Sequence, residues 1–188
     1  MRITGGEYGG RKLTAPTGKD IRPTSDRLRL AIFNMIESRL DLDGCHVADM
    51  FCGTGALGIE ALSRGASFAH FFDQDRRSLM LTKDNLAQLN IPSSAFNATL
   101  VSALKVAPRA ADAQPALDVV FLDPPYHKDL VAPCIENLIA GDWLAPEALL
   151  VVETEKGGLP NLSTMPQIKS LREKAYGDTE LALYIFQS

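Results

Sequence analysis

The stretch "VADMFCGTGALGIEAL", residues 47–62, reads as the end of a strand, a glycine turn and the start of a helix. An apolar run ends at Asp49, and Gly53, Gly55 and Gly58 then fit G-x-G-x-x-G before helical periodicity begins. Glycines at this spacing let the backbone turn tightly and approach a ligand with no Cβ in the way. The turn falls at the carboxyl end of a strand, where an open α/β sheet binds its ligands.

Outward from that turn, strands and helices alternate. Strands are expected at His46–Phe51, Phe68–Phe72, Thr99–Val101, Leu117–Leu122 and Ala148–Val152. Helices are expected at Ala56–Arg64, closed by Gly65 as a C-terminal cap, at Arg76–Leu89, weakly at Ser102–Ala111, and at Leu130–Ala140. This rhythm argues for an α/β protein with a parallel sheet covered on both faces. The rhythm breaks in "IKSLREKAYGDTELALYIFQ", two alternating runs joined at Tyr176-Gly177-Asp178, which predicts a closing antiparallel hairpin.

The 188 residues, 46% of them hydrophobic, suit one domain with a sizeable core. No run of 18 apolar residues and no secretory leader is visible, so the chain reads as cytoplasmic. Cys45, Cys52 and Cys134 form no CxxC pair, and neither a disulfide framework nor a zinc or other metal site is indicated.

Net charge is −4 overall, yet residues 1–40 carry +4 and the remainder −8. Such a basic arm on an acidic body suits phosphate contact, and suits a solvated charged face equally well. Within the arm, "RPTSDRLRLAIFNMIESRL" has one apolar helix face through Leu28, Ala31, Ile32, Met35 and Ile36. Thr24 or Ser25 can cap that helix, and Arg27 and Arg29 fall off the apolar stripe.

A second motif sits at the end of the Leu117–Leu122 strand: "VVFLDPPY", residues 119–126. Pro124 and Pro125 cannot donate to a ladder, so the strand stops at Asp123. The Asp123 carboxylate and the Pro124 carbonyl are acceptors for the two N–H bonds of a planar exocyclic amine. Pro125 stiffens the turn, and Tyr126 offers a ring on which a base can stack. His127, just beyond, reads as a solvated loop residue.

Asp73 follows Gly53 by 20 residues at the end of the next strand, where an acid binds a ribose hydroxyl. Taken alone, that fingerprint fits a nicotinamide cofactor. Two features favour S-adenosylmethionine instead. Asp49 would repel a pyrophosphate but can hold the ammonium of a methionine moiety, and the DPPY element has a role in methylating an amine but none in hydride transfer. Asp75 and Asp84 read as solvated.

"VADMFCGTGALGIEALSRGA", "FFDQD", "VVFLDPPY" and "GGRKLTAP…RPTSDRLRLAIFN" together resemble the bacterial 16S ribosomal RNA guanine-N2 methyltransferases of the RsmD type, over nearly the whole chain. The resemblance implies a Rossmann-like methyltransferase fold with a mostly parallel seven-stranded sheet and an antiparallel C-terminal hairpin strand. It implies a basic arm and helix at 1–40 and a methyltransferase domain at 41–188, forming one structural unit and a monomer. It makes Asp49, Phe51, Gly53, Thr54, Gly55, Asp73, Ser102 and Thr24 the S-adenosylmethionine site and Asp123, Pro124, Pro125 and Tyr126 the catalytic element. Arg11, Lys12, Arg22, Arg27 and Arg29 would hold 16S ribosomal RNA, alone or within a small-subunit particle. Three positions depart from the family pattern: Gly9 where an arm arginine is usual, Ser102 where an Asp or Asn faces the adenine, and Cys52 in place of a small Ala. Adenine-N6 methylation of DNA, methylation of glutamine or a small molecule, a nicotinamide-dependent dehydrogenase and a non-catalytic nucleotide-binding module are the competing readings.

Overall fold

A computed structural model describes residues 1–15, 25–110, 115–126 and 128–187. Arg22, Thr24 and His127 lie outside the described residues.

Among the described residues, seven strands form one sheet: β1 (His46–Asp49), β2 (Phe68–Asp73), β3 (Phe96–Leu100), β4 (Leu117–Leu122), β5 (Leu144–Glu155), β6 (Ile168–Tyr176) and β7 (Thr179–Phe186). Their order is β3-β2-β1-β4-β5-β7-β6. The pairings from β3 to β5 are parallel, while β7 runs antiparallel to both β5 and β6. Strand order reverses between β1 and β4, which opens a crevice at their carboxyl ends.

The helices are α1 (Asp26–Glu37), α2 (Ala56–Ser63), α3 (Arg76–Gln88) and α4 (Val131–Ala140). Leu28, Ile32, Phe33, Met35 and Ile36 of α1 are buried with α2 and α3 against one sheet face, and Phe33 packs tilted against Phe121 of β4 at 5.6 Å. The opposite face buries Cys134, Ile135 and Leu138 of α4 beside Trp143. Ser25 caps α1 by accepting from the Leu28 N–H. Gly65, in the left-handed region, ends α2 as its periodicity suggests.

The structure departs from the sequence pattern in three places. β3 begins at Phe96, because the edge strand pairs along Ala69–Asp73 of β2 over its whole length. Residues 102–110 contain only the 3-10 turn Ala103–Lys105, which Ser102 caps, in place of a helix. β5 runs twelve residues rather than five, extended by a register shift opposite Leu117–Val119.

The N-terminal arm, residues 1–15, folds back on itself with an Arg2–Lys12 bridge and buries Ile3 and Leu13 in the same core as α1 to α3. It covers the outer side of α2, which is why α2 is buried on every side, Glu60 included.

Candidate active site

Asp49, Asp73 and Asp123 end β1, β2 and β4, three adjacent strands, so their carboxylates share one end of the sheet. Alternation along each strand turns all three toward the α1–α3 face, as it does Val47, Phe71 and Phe121. Asp49 is 2% exposed and accepts from the backbone N–H groups of Gly58, at 3.2 Å, and of Phe51. Burial pushes its carboxyl up to about 7, against the opposing pull of those N–H groups, and the charges of Asp123 and Asp73 push it further. A buried acid flanked by two more acids is neutralised best by a cation, whose binding would restore the carboxylate.

The glycine loop is built around that acid. Gly55 (φ 76°) donates to the Cys52 carbonyl at 2.6 Å and starts α2. A Cβ there would stand 2.7 Å from the Thr82 methyl. A Cβ on Gly58 would enter the Phe71 ring, so this glycine lets α2 lie close on β2 while its N–H reaches Asp49. Asp73 accepts from the Gly53 N–H at 2.9 Å and from the Asp75 N–H at 2.8 Å, tying the loop to the end of β2. Asp75 is exposed, as its sequence context suggests, and is the N-cap of α3, accepting from Arg77 and Ser78.

Thr82 and Asn85 of α3, both fully buried, hold the loop's outer side. Thr82 donates to the Gly53 carbonyl at 3.0 Å, and Asn85 donates to the Thr54 carbonyl at 2.9 Å. Cys52 is buried beside Thr82, and burial pushes its thiol far up, which leaves it unreactive. Phe51, Gly53 and Thr54 are half-buried at the loop, whereas Ser102 is half-buried at the end of β3 with its hydroxyl spent on the Leu104 N–H at 3.4 Å.

Beyond β4, Asp123 is half-buried, Pro124 buried, Pro125 exposed and Tyr126 half-buried. The Tyr126 hydroxyl lies 3.2 Å from that of Thr179, the buried first residue of β7, so the C-terminal hairpin steadies the loop that follows β4.

Of the basic residues expected at an RNA surface, Arg11, Lys12 and Arg27 are exposed. Arg11 donates to the Leu89 carbonyl at 3.3 Å and lies over the Tyr8 ring. Arg29 is a correction: it is 0% exposed and cannot present its guanidinium to a polyanion. It donates to the Arg2 carbonyl and to Asp26 at 2.6 Å, and sits 3.7 Å from Glu60. Glu60, equally buried, also accepts from the Thr4 backbone at 2.8 Å, the Thr4 hydroxyl at 2.7 Å and Arg64 at 2.9 Å. That network locks the arm to α2 and α1. Glu60 was detectable as a lone charge inside the apolar run "GALGIEAL"; Thr82, Asn85 and Thr179 carry no such signal.

The family model described as conserved hypothetical protein 95 matches residues 1–185. Ribosomal RNA small subunit methyltransferase D of Escherichia coli K12 is 40% identical over 186 residues, covering 98% of this chain and 89% of the relative. The chain belongs to this family. Its Haemophilus influenzae relative of the same name is 37% identical over 98% of this chain and 93% of its own length. Among solved structures, the yhhF protein of Escherichia coli superposes with a TM-score of 0.82 at 33% identity, covering 100% of this chain and 98% of its own. A family member's fold is thus a Rossmann-like, mostly parallel sheet closed by antiparallel strands, with the glycine loop and DPPY motif side by side across the order reversal.

Proposed function

We propose that this chain methylates the exocyclic N2 amine of one guanine in 16S ribosomal RNA, in the cytoplasm, using S-adenosylmethionine. The observation that carries the reading is the meeting of Asp49, Asp73 and the DPPY element at the ends of β1, β2 and β4. The relatives named for ribosomal RNA methylation support it.

In this reading Asp49 takes the ammonium of the methionine moiety, Asp73 the ribose hydroxyls, and the loop of Gly53, Thr54 and Gly55 the backbone contacts between them. The burial of Asp49, which pushes its carboxyl up to about 7, makes it a site that a cation would favour in its ionised form. When bound, S-adenosylmethionine supplies an electrophilic methyl group. A guanine N2 is a poor nucleophile because its lone pair is delocalised into the ring. Asp123 and the Pro124 carbonyl accept its two N–H bonds, draw it toward tetrahedral geometry and stabilise the positive charge that develops. Asp123 is then placed to accept the proton that the nitrogen gives up and to pass it to water. Tyr126 stacks on the base and fixes its plane, worth about 1–3 kcal/mol. Lys12, Arg11 and Arg27 contact phosphates.

The test is nucleoside mass spectrometry of small-subunit RNA from a strain lacking the gene, with and without the protein restored. The expected result is one N2-methylguanosine that vanishes and returns. Methylation of adenine N6 in DNA by the purified protein, with ribosomal RNA unchanged, would overturn it.

A further inference from the structure

We infer that Asn85 is a positioning residue that couples the RNA-binding arm to the cofactor loop, so that occupancy of either strengthens binding at the other. The inference rests on the functional reading above and goes beyond it.

A single buried amide spans the two segments. The Asn85 Nδ2 group donates to the Thr54 carbonyl at 2.9 Å and to the Thr14 carbonyl at 3.1 Å, while its Oδ1 accepts from the Thr14 N–H at 2.8 Å. Thr54 stands between Gly53 and Gly55, in the middle of the loop. Thr14 ends the arm, directly before the stretch that carries Lys19 and Arg22. Asn85 is 0% exposed with the arm docked, so its amide has these backbone partners in place of water. Moving either the arm or the loop leaves this shared amide with a bond unmade, and the same side chain feels both displacements. A ligand that holds the loop in place therefore holds the arm, and by linkage RNA on the arm returns the effect on the cofactor.

The side chain is specific for this task. Leucine would strip three backbone groups of their partner. Aspartate would turn a second acceptor toward two carbonyl oxygens. Among the described residues, the neighbours on the same helix divide the work: Thr82 reaches the loop, through the Gly53 carbonyl, and Gln88 reaches the arm, donating to the Lys12 carbonyl at 3.1 Å and accepting from the Thr14 hydroxyl at 3.3 Å.

These neighbours supply the controls. Binding of labelled S-adenosylhomocysteine, which avoids turnover, is measured by equilibrium dialysis without and with saturating unmethylated 16S RNA, and in parallel with unmethylated small subunits. Wild-type protein is expected to bind it about fivefold or more tightly when RNA is present. Asn85→Asp, with Asn85→Ala as a second variant, is expected to bring that ratio to within about twofold of one. Thr82→Val should weaken cofactor binding equally in both conditions, and Gln88→Ala should weaken RNA binding equally with and without cofactor. Amide exchange at Thr14 distinguishes released coupling from unfolding, since Asn85→Ala, which removes the acceptor of the Thr14 N–H, should lower protection there and leave the sheet protected. A wild-type ratio of one, an undiminished ratio in the Asn85 variants, or an equal loss of the ratio in Thr82→Val overturns the inference. A wild-type protein that binds no S-adenosylhomocysteine overturns the functional reading beneath it instead.

Discussion

Replacing Asp49 by asparagine removes one titration from the fold while keeping an acceptor for the Gly58 N–H. Burial, with Asp123 and Asp73 close by, raises the Asp49 carboxyl from 3.8 to about 7. The folded chain therefore holds a proton there that the unfolded chain has released, and stability falls as pH rises between those two values. The slope is about 1.4 kcal/mol per pH unit and halves as pH reaches 7, so Asp49 alone removes roughly 2 kcal/mol between pH 5 and 7. Other groups titrate in the same range, which makes the difference between wild type and variant the quantity to read. Urea unfolding at pH 5, 6, 7 and 8 should show Asp49→Asn gaining on wild type as pH rises and levelling above pH 7. Saturating S-adenosylmethionine should reverse the comparison, because its ammonium favours the ionised acid that the variant lacks. Cofactor affinity of the wild type should accordingly climb through pH 7, and that of the variant should stay low and flat. Parallel unfolding curves at all four pH values would refute the argument that Asp49 is buried with its proton.

Asp123→Ala should lower kcat by about 10²–10³-fold, with cofactor affinity within a few fold in a direct binding assay. Gly58→Ala should destabilise the fold by about 1–3 kcal/mol in urea, because the added methyl enters the Phe71 ring. Glu60→Ala leaves Arg29 with less compensation in the core and should cost about 3–5 kcal/mol, whereas Lys12→Ala and Arg27→Ala should leave unfolding unchanged. The same two exposed variants should instead weaken RNA binding and flatten its salt dependence by about one unit of slope per lost phosphate contact.

The parallel part of the sheet was legible because buried strands and amphipathic helices have different periods and glycines punctuate them. Strand ends were less so. β5 continues past its apolar run because β7 pairs with it as far as Glu155, a tertiary effect with no local trace. The site's acids were readable from their place after apolar runs, and their convergence follows from strand order alone. Arg29 misled for a physical reason: off the apolar stripe of α1, it faces the arm rather than water, and helical periodicity does not see a segment folded over that face. The supporting hydroxyls and amide of Thr82, Asn85 and Thr179 act on partners 29 to 71 residues away, which no window along the chain contains.

The arm is gripped almost wholly by its main chain. Glu60 takes the Thr4 N–H, Ser63 takes those of Glu7 and Tyr8 and gives its hydroxyl to the Gly5 carbonyl, Gln88 holds the Lys12 carbonyl, and Asn85 holds Thr14 by both backbone groups. A segment docked this way is read largely by its backbone path, with side-chain help from Ile3 and Leu13 in the core, the Thr4 and Thr14 hydroxyls and the Arg11 guanidinium. Its outward residues are thus open to exchange without undocking it. The arm behaves as a fixed rail carrying replaceable contacts, and its RNA preference can be re-cut at Arg11 and Lys12 while the loop beneath stays as it is.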